Sequence, residues 1–173
     1  MSSLGCIAFS FYLLTGLFGA PLGELDAFFP PYGSQGAISQ IRGDGERLEW
    51  KDDFKTALQE AELTGKPIFV DFTGFACTNC RWMEANMFPE PEVRALLGKY
   101  IRVHLYTDGV GEEYDLNRKF QEERFGTVAL PFYAIISPED RDISSFPGLT
   151  RDKKLFTRFL KKGFAEELQA NVD

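Results

Sequence analysis

The sequence is short of histidine, cysteine and positive charge. Its 173 residues include one histidine and three cysteines, and 19 Lys and Arg stand against 26 Asp and Glu, a formal net charge of −7. Three cysteines are too few for the disulfide-stapled scaffold of a small secreted domain. Beyond one closely spaced pair, only His104, in an expected strand, and Cys6, in a distant apolar segment, could complete a tetrahedral zinc site, so no metal centre is expected. The acidic balance, with no basic stripe, removes nucleic acid from the expected partners. No internal repeat is present. What the chain does have is 44% hydrophobic and 14% aromatic residues, enough to bury one good core in one folded domain.

The chemistry concentrates where an apolar run, Phe69-Val70-Asp71-Phe72, leads through Thr73-Gly74-Phe75-Ala76 into Cys77-Thr78-Asn79-Cys80. The pair opens a helix. A thiol there faces unpaired backbone N–H groups and the positive end of the helix dipole, which favours its thiolate and makes Cys77 the candidate nucleophile. Cys80, one turn further in, is placed to resolve a mixed disulfide. Asp71 sits in a strand so apolar that its carboxylate is expected to be at least partly buried, where a charge is costly. Glu84, four residues after Cys80, shares its helical face. Either acid could take a proton from Cys80 or return one, and both oppose thiolate charge. His104 reads as a half-exposed strand residue rather than a base or ligand.

Residues 1–22 carry no charge, and 4–20 form a nearly continuous apolar run, at the short end for a membrane-spanning helix. A signal peptide is the rival reading, but it should begin with a basic stretch and none is present. The expectation is a membrane helix or anchor over 1–22. Acidic residues flank its end, with no Lys or Arg before Arg42, which places the following domain on the non-cytoplasmic side. Cys6 reads as a small apolar residue. Residues 23–46, with Pro30-Pro31 and five glycines, read as a flexible linker, and Phe28 and Phe29 could rest at the membrane interface.

A folded domain is expected over 47–173. Trp50, Phe54, Ala57, Leu58 and Ala61 recur at helical spacing until Gly65 and Pro67 stop them. A strand over 67–72, apolar on both faces, precedes the motif helix, expected to run from about Cys77 to Phe88. Pro91 starts a short helix. Residues 100–106 alternate as a strand, and 113–124 form a polar helix burying Leu116 and Phe120. A strand over 132–136 is followed by an antiparallel edge partner over 143–146. A final amphipathic helix over 152–168 runs through Leu155, Phe156, Phe159 and Leu160. A sheet with helices on both faces follows from this order.

These residues resemble the thioredoxin family from about Trp50 to Ala170. The matches are an acid six residues before the first cysteine, a Cys-x-x-Cys at a helix start, and a proline, Pro131, opening a later strand. Within that family, residues 69–84 are similar to the motif of the carboxy-terminal periplasmic domain of the DsbD family, including the acid at Glu84, and residues 16–22 look like its last membrane helix. The resemblance implies a thioredoxin-like α/β fold with a central mixed sheet, and a cis Leu130-Pro131 bond beside the sulfurs. It also implies a bacterial inner-membrane protein whose domain faces the periplasm. Cys77 would be the nucleophile, Cys80 the resolving thiol, Asp71 and Glu84 the tuning acids. Phe75, Ala76, Leu130 and Pro131 would meet the substrate, with Phe75-Ala76 standing where thioredoxins commonly have a tryptophan before the first cysteine. Electrons would come from a membrane donor with its own thiol pair, because the multi-helix membrane part of such proteins is missing from this sequence. They would pass to periplasmic disulfide proteins, with no cofactor beyond the Cys77–Cys80 disulfide.

The expected direction is reduction, because Thr78-Asn79 brings no positive charge or histidine to stabilise a thiolate, as strongly oxidising relatives require. Two alternatives stay open: a module whose Cys77 and Cys80 hold a soft metal ion, and a thioredoxin-like binding domain without redox chemistry.

Overall fold

The computed structural model describes residues 48–164. The expected membrane helix over 1–22, the linker over 23–46 and the chain beyond 164 lie outside the described residues. Among those described, no helix is long and apolar enough to cross a membrane.

Helix α1 (Phe54–Thr64) is capped by the Asp53 carboxylate, which accepts the Thr56 N–H, and ends at Gly65, whose φ of 69° lets its N–H close on the Ala61 carbonyl. Trp50 lies before this helix, not within it: the neighbouring Lys51 forms a parallel bridge with Val103, so the 48–51 segment runs beside the sheet edge. Strand β1 (Ile68–Thr73) is buried throughout. Helix α2 (Thr78–Trp82) takes Cys77 as its N-cap and passes into a π-helical turn, Met83–Met87, closed by Phe88 N–H donating to the Met83 carbonyl. The sequence gives no sign of that wider turn and reads as one uninterrupted α-helix; such turns recur at functional sites.

The remaining elements are α3 (Pro91–Leu97), β2 (Ile101–Tyr106), α4 (Glu112–Phe125), β3 (Phe132–Ile136), β4 (Asp142–Pro147) and α5 (Lys153–Lys161), the last followed by a 3₁₀ turn, Lys162–Phe164. Leu116 and Leu155, expected on buried faces, are exposed; α4 rests on Phe120 and α5 on Phe156, Phe159 and Leu160.

The sheet order is β2-β1-β3-β4, with β1 parallel to β2 and antiparallel to β3, and β4 antiparallel at the edge. Successive side chains on a strand face opposite ways. Ile68, Val70 and Phe72 therefore join Ile101, Val103 and Leu105 in one core with Ala57 and Ala61 of α1. Phe69 turns to the other face and packs with Met83, Met87, Leu97, Phe156 and Leu160. Asp71 and Thr73 follow Phe69 at intervals of two, so β1 presents them to the face covered by the motif helix.

Candidate active site

The cysteines stand at the carboxyl ends of the two parallel strands. Cys77 and Cys80 are joined as a disulfide with their Cα atoms 5.3 Å apart. Cys77 is partly exposed, and its Sγ accepts the Cys80 N–H at 3.1 Å; Cys80 is 1% exposed. The two sulfurs thus differ in access: one meets solvent, the other is covered.

Strand register assembles the groups on the same face. Asp71 is opposite His104, and Thr73 opposite Tyr106. Asp71 is 1% exposed, and its Oδ2 lies 3.0 Å from His104 Nδ1, while its Oδ1 has no partner. With the carboxylate ionised, the imidazole must carry its proton on Nδ1 to bond there. The Trp50 ring stacks on the imidazole at 3.7 Å between centroids and fixes its plane. The sequence reading of His104 as half-exposed is right about its surface but misses this bond. The signal was available only jointly: alternation along 100–106 gives its face, but only the parallel pairing with β1 gives its partner.

Arg81, which the sequence analysis passed over, is 6% exposed. Its Nη2 donates to Thr73 Oγ1 at 2.8 Å and pairs with Glu84 Oε1 at 2.7 Å, and the guanidinium lies 5.7 Å from the Tyr106 ring centroid. The Thr73 hydroxyl donates to Glu84 Oε1 at 3.1 Å. Burial, and secondarily the Asp71 charge, push the Glu84 carboxyl up to about 7; Arg81, His104 and the Thr73 hydroxyl pull the other way. Glu84 can therefore hold or release a proton near neutrality, as general acid–base work requires.

Asp71, Glu84 and His104 each offer a ligand atom within 4.8 Å of the others. Two of these contacts are already engaged within the protein, Asp71 Oδ2 with His104 Nδ1 and Glu84 Oε1 with Arg81 Nη2.

On the open side, the Phe75 ring stacks on Tyr106 at 4.2 Å and remains 45% exposed. Ala76 is exposed. The Leu130-Pro131 peptide is cis, with Leu130 part-exposed beside Gly74 and Pro131 buried at the head of β3. The loop before Cys77 is held by Asp108, which carries no signature of its own in the sequence: its carboxylate accepts the Phe75 and Ala76 N–H groups at 2.7 and 2.9 Å.

A family profile described as thioredoxin-like matches residues 49–138, just over half of the chain. The thiol:disulfide interchange protein DsbD 1 of Pseudomonas aeruginosa is 27% identical over 134 residues, covering 74% of this chain but 22% of that protein, so the chain spans about a fifth of its relative's length. A thioredoxin from Thermus thermophilus superposes with a TM-score of 0.57 at 20% identity, over 70% of this chain and 90% of that one. The oxidised carboxy-terminal domain of DsbD from Neisseria meningitidis does so with 0.55 at 18%, over 66% and 99%. At such identities the structural likeness speaks for the fold alone, and the profile over more than half of the chain shows the family: this chain belongs to the thioredoxin-like family.

Proposed function

We propose that the chain is a protein-disulfide reductase that carries two electrons on Cys77 and Cys80. The observation that supports this most is the pairing of a reachable and a covered sulfur, as a disulfide, at the head of a helix whose next turn bears Glu84. In the reduced state, Cys77 thiolate attacks one sulfur of a substrate disulfide, forming a mixed disulfide and releasing the other sulfur as thiolate. Cys80 gives up its proton and attacks the Cys77 sulfur. The bond to the substrate breaks, the substrate leaves as a dithiol, and the Cys77–Cys80 bond re-forms. Two electrons have moved to the substrate.

Glu84 and Asp71 are the groups proposed to accept and return the Cys80 proton, with Arg81 and His104 holding them in place. Phe75, Ala76, Leu130 and Pro131 are proposed to meet the incoming chain. No bound cofactor is needed for this cycle. A membrane protein with its own thiol pair would restore the dithiol. Acceptors would be periplasmic disulfide proteins, reached from an inner-membrane tether over residues 1–22; the uncharged run there and the kinship with DsbD 1 support that location.

The test is a Cys80→Ser variant expressed in an oxidising compartment. It should accumulate mixed disulfides through Cys77 with both neighbours in the relay, and Cys77→Ser should accumulate none. The couple should have a reduction potential on the order of −250 mV, and a value above about −150 mV would reassign it as an oxidant.

A further inference from the structure

Asp108 opens the connection from β2 to α4, and it spends its carboxylate on the motif loop. One oxygen takes the Phe75 N–H at 2.7 Å and the other the Ala76 N–H at 2.9 Å, so the last two amides before Cys77 end on a single side chain more than thirty residues away. The two loops are neighbours because β1 and β2 run parallel and in register to their ends. Thr73 faces Tyr106, and Thr107 N–H continues the ladder to the Thr73 carbonyl at 3.1 Å.

The fit leaves room for no side chain at residue 74. A Cβ on Gly74 would stand 2.5 Å from Asp108 Oδ2 and 3.0 Å from Leu130 Cδ1. Aromatic rings extend the joint on its outer side, Phe75 stacked on Tyr106 and meeting Tyr114 edge-on at 5.7 Å.

We propose that Asp108 is a positioning residue for disulfide exchange: it pins the two amides that lead into Cys77, and its negative charge beside that loop lowers the thiolate fraction of reduced Cys77. This rests on the oxidoreductase reading and adds to it a residue that need not touch the reacting sulfurs. Two consequences can be separated. The hydrogen bonds fix where the Cys77 sulfur stands, and a misplacement of the order of 1 Å is costly to any in-line displacement. The charge works against the backbone N–H groups that would otherwise favour the thiolate.

The experiment uses the full chain with Asp108→Asn and Asp108→Ala. Asparagine keeps one carbonyl acceptor and removes the charge; alanine removes both. The rate of iodoacetamide alkylation of the reduced protein is followed against pH, together with the equilibrium with glutathione and turnover of insulin disulfides. Asp108→Asn should raise the Cys77 thiolate fraction at neutral pH about threefold, a midpoint shift of about half a unit. The glutathione equilibrium should move toward the dithiol in step. The shift should shrink in 1 M salt, because the charge is exposed to solvent and screened. Asp108→Ala should give the same shift and also lower kcat by about tenfold through the loosened loop.

Alkylation midpoints and glutathione equilibria of both variants identical to those of the unaltered chain would overturn the charge-based part, and unchanged insulin turnover by Asp108→Ala would overturn the positioning part. A midpoint shift that persists undiminished in 1 M salt would overturn its charge-based part. Failure of the oxidoreductase reading looks different: the unaltered chain itself would not turn over insulin, and Cys80→Ser would trap nothing.

Discussion

His104 Nδ1 stands 3.0 Å from Asp71 Oδ2, and this contact is the one hydrogen bond found for a carboxylate that is 1% exposed. A buried carboxyl oxygen stripped of its partner costs more than the bond itself was worth, because it cannot recover its hydration. His104→Leu should therefore destabilise the domain by about 2 kcal/mol at pH 7. Asp71→Asn combined with His104→Leu should recover part of that loss. Urea denaturation of the two single variants and the double variant gives the coupling; purely additive effects would show that the pair does not interact.

Glu84 makes stability depend on pH. Its carboxyl is raised in the folded protein from an ordinary value of 4.5 to about 7, so between those values the folded state keeps a proton that the unfolded state has lost. The favourable contribution is complete below pH 4.5 and is lost as pH rises through 7. The loss amounts to about 3 kcal/mol across that window. Glu84→Gln should remove this part of the slope, so the measurement is unfolding free energy from pH 4.5 to 8 for both proteins. Equal slopes would refute the assignment.

Arg81 supplies the countercharge inside the site. Arg81→Met would leave the Glu84 carboxyl without its cation and the Thr73 hydroxyl without its donor, at a cost of about 3 kcal/mol when Glu84 is ionised. It should also push the Glu84 carboxyl further up, so the variant's deficit should be smaller at pH 5 than at pH 8. Arg81→Lys should restore only part of the loss: one nitrogen, Nη2, makes the contacts to Thr73, Gly74 and Glu84, but a lysine ammonium sits on a shorter stem and gives up the planar guanidinium beside the Tyr106 ring.

Gly74→Ala should force apart the two loops that meet at Asp108. The neighbours of the added methyl include a carboxylate already holding two amides, so relief requires loop movement and a loss of about 1–3 kcal/mol. Thermal unfolding measures that loss, and insulin turnover should fall with it. A variant as stable and as active as the unaltered chain would show that the loops separate at no cost.

Much of this architecture is legible along the chain because it depends on short-range pattern. The apolar 67–72 run, the alternation over 100–106, the stop at Gly65 and Pro67 and the start at Pro91 place the strands and most helices close to where they are found. Trp50 misleads because its spacing suits a helix, yet it is held outside α1 by stacking on His104. Leu116 and Leu155 mislead because a sparse apolar pattern fits more than one helix face, and packing chose Phe120 and Phe156 instead. The π turn after Trp82 has no composition of its own.

The sequence by itself determined the candidate redox pair, the acids at Asp71 and Glu84, and the strand and helix that carry them, since all follow from spacing within fifteen residues. Only the tertiary structure decided that Asp71 meets His104, that Arg81 turns inward to Glu84 and Thr73, and that Asp108 holds the loop before Cys77. The His104 and Asp108 contacts join residues about thirty apart through the parallel pairing of β1 and β2. Arg81 is local to the motif, but its inward turn depends on a buried anion, which the packed helix and sheet supply only once they come together.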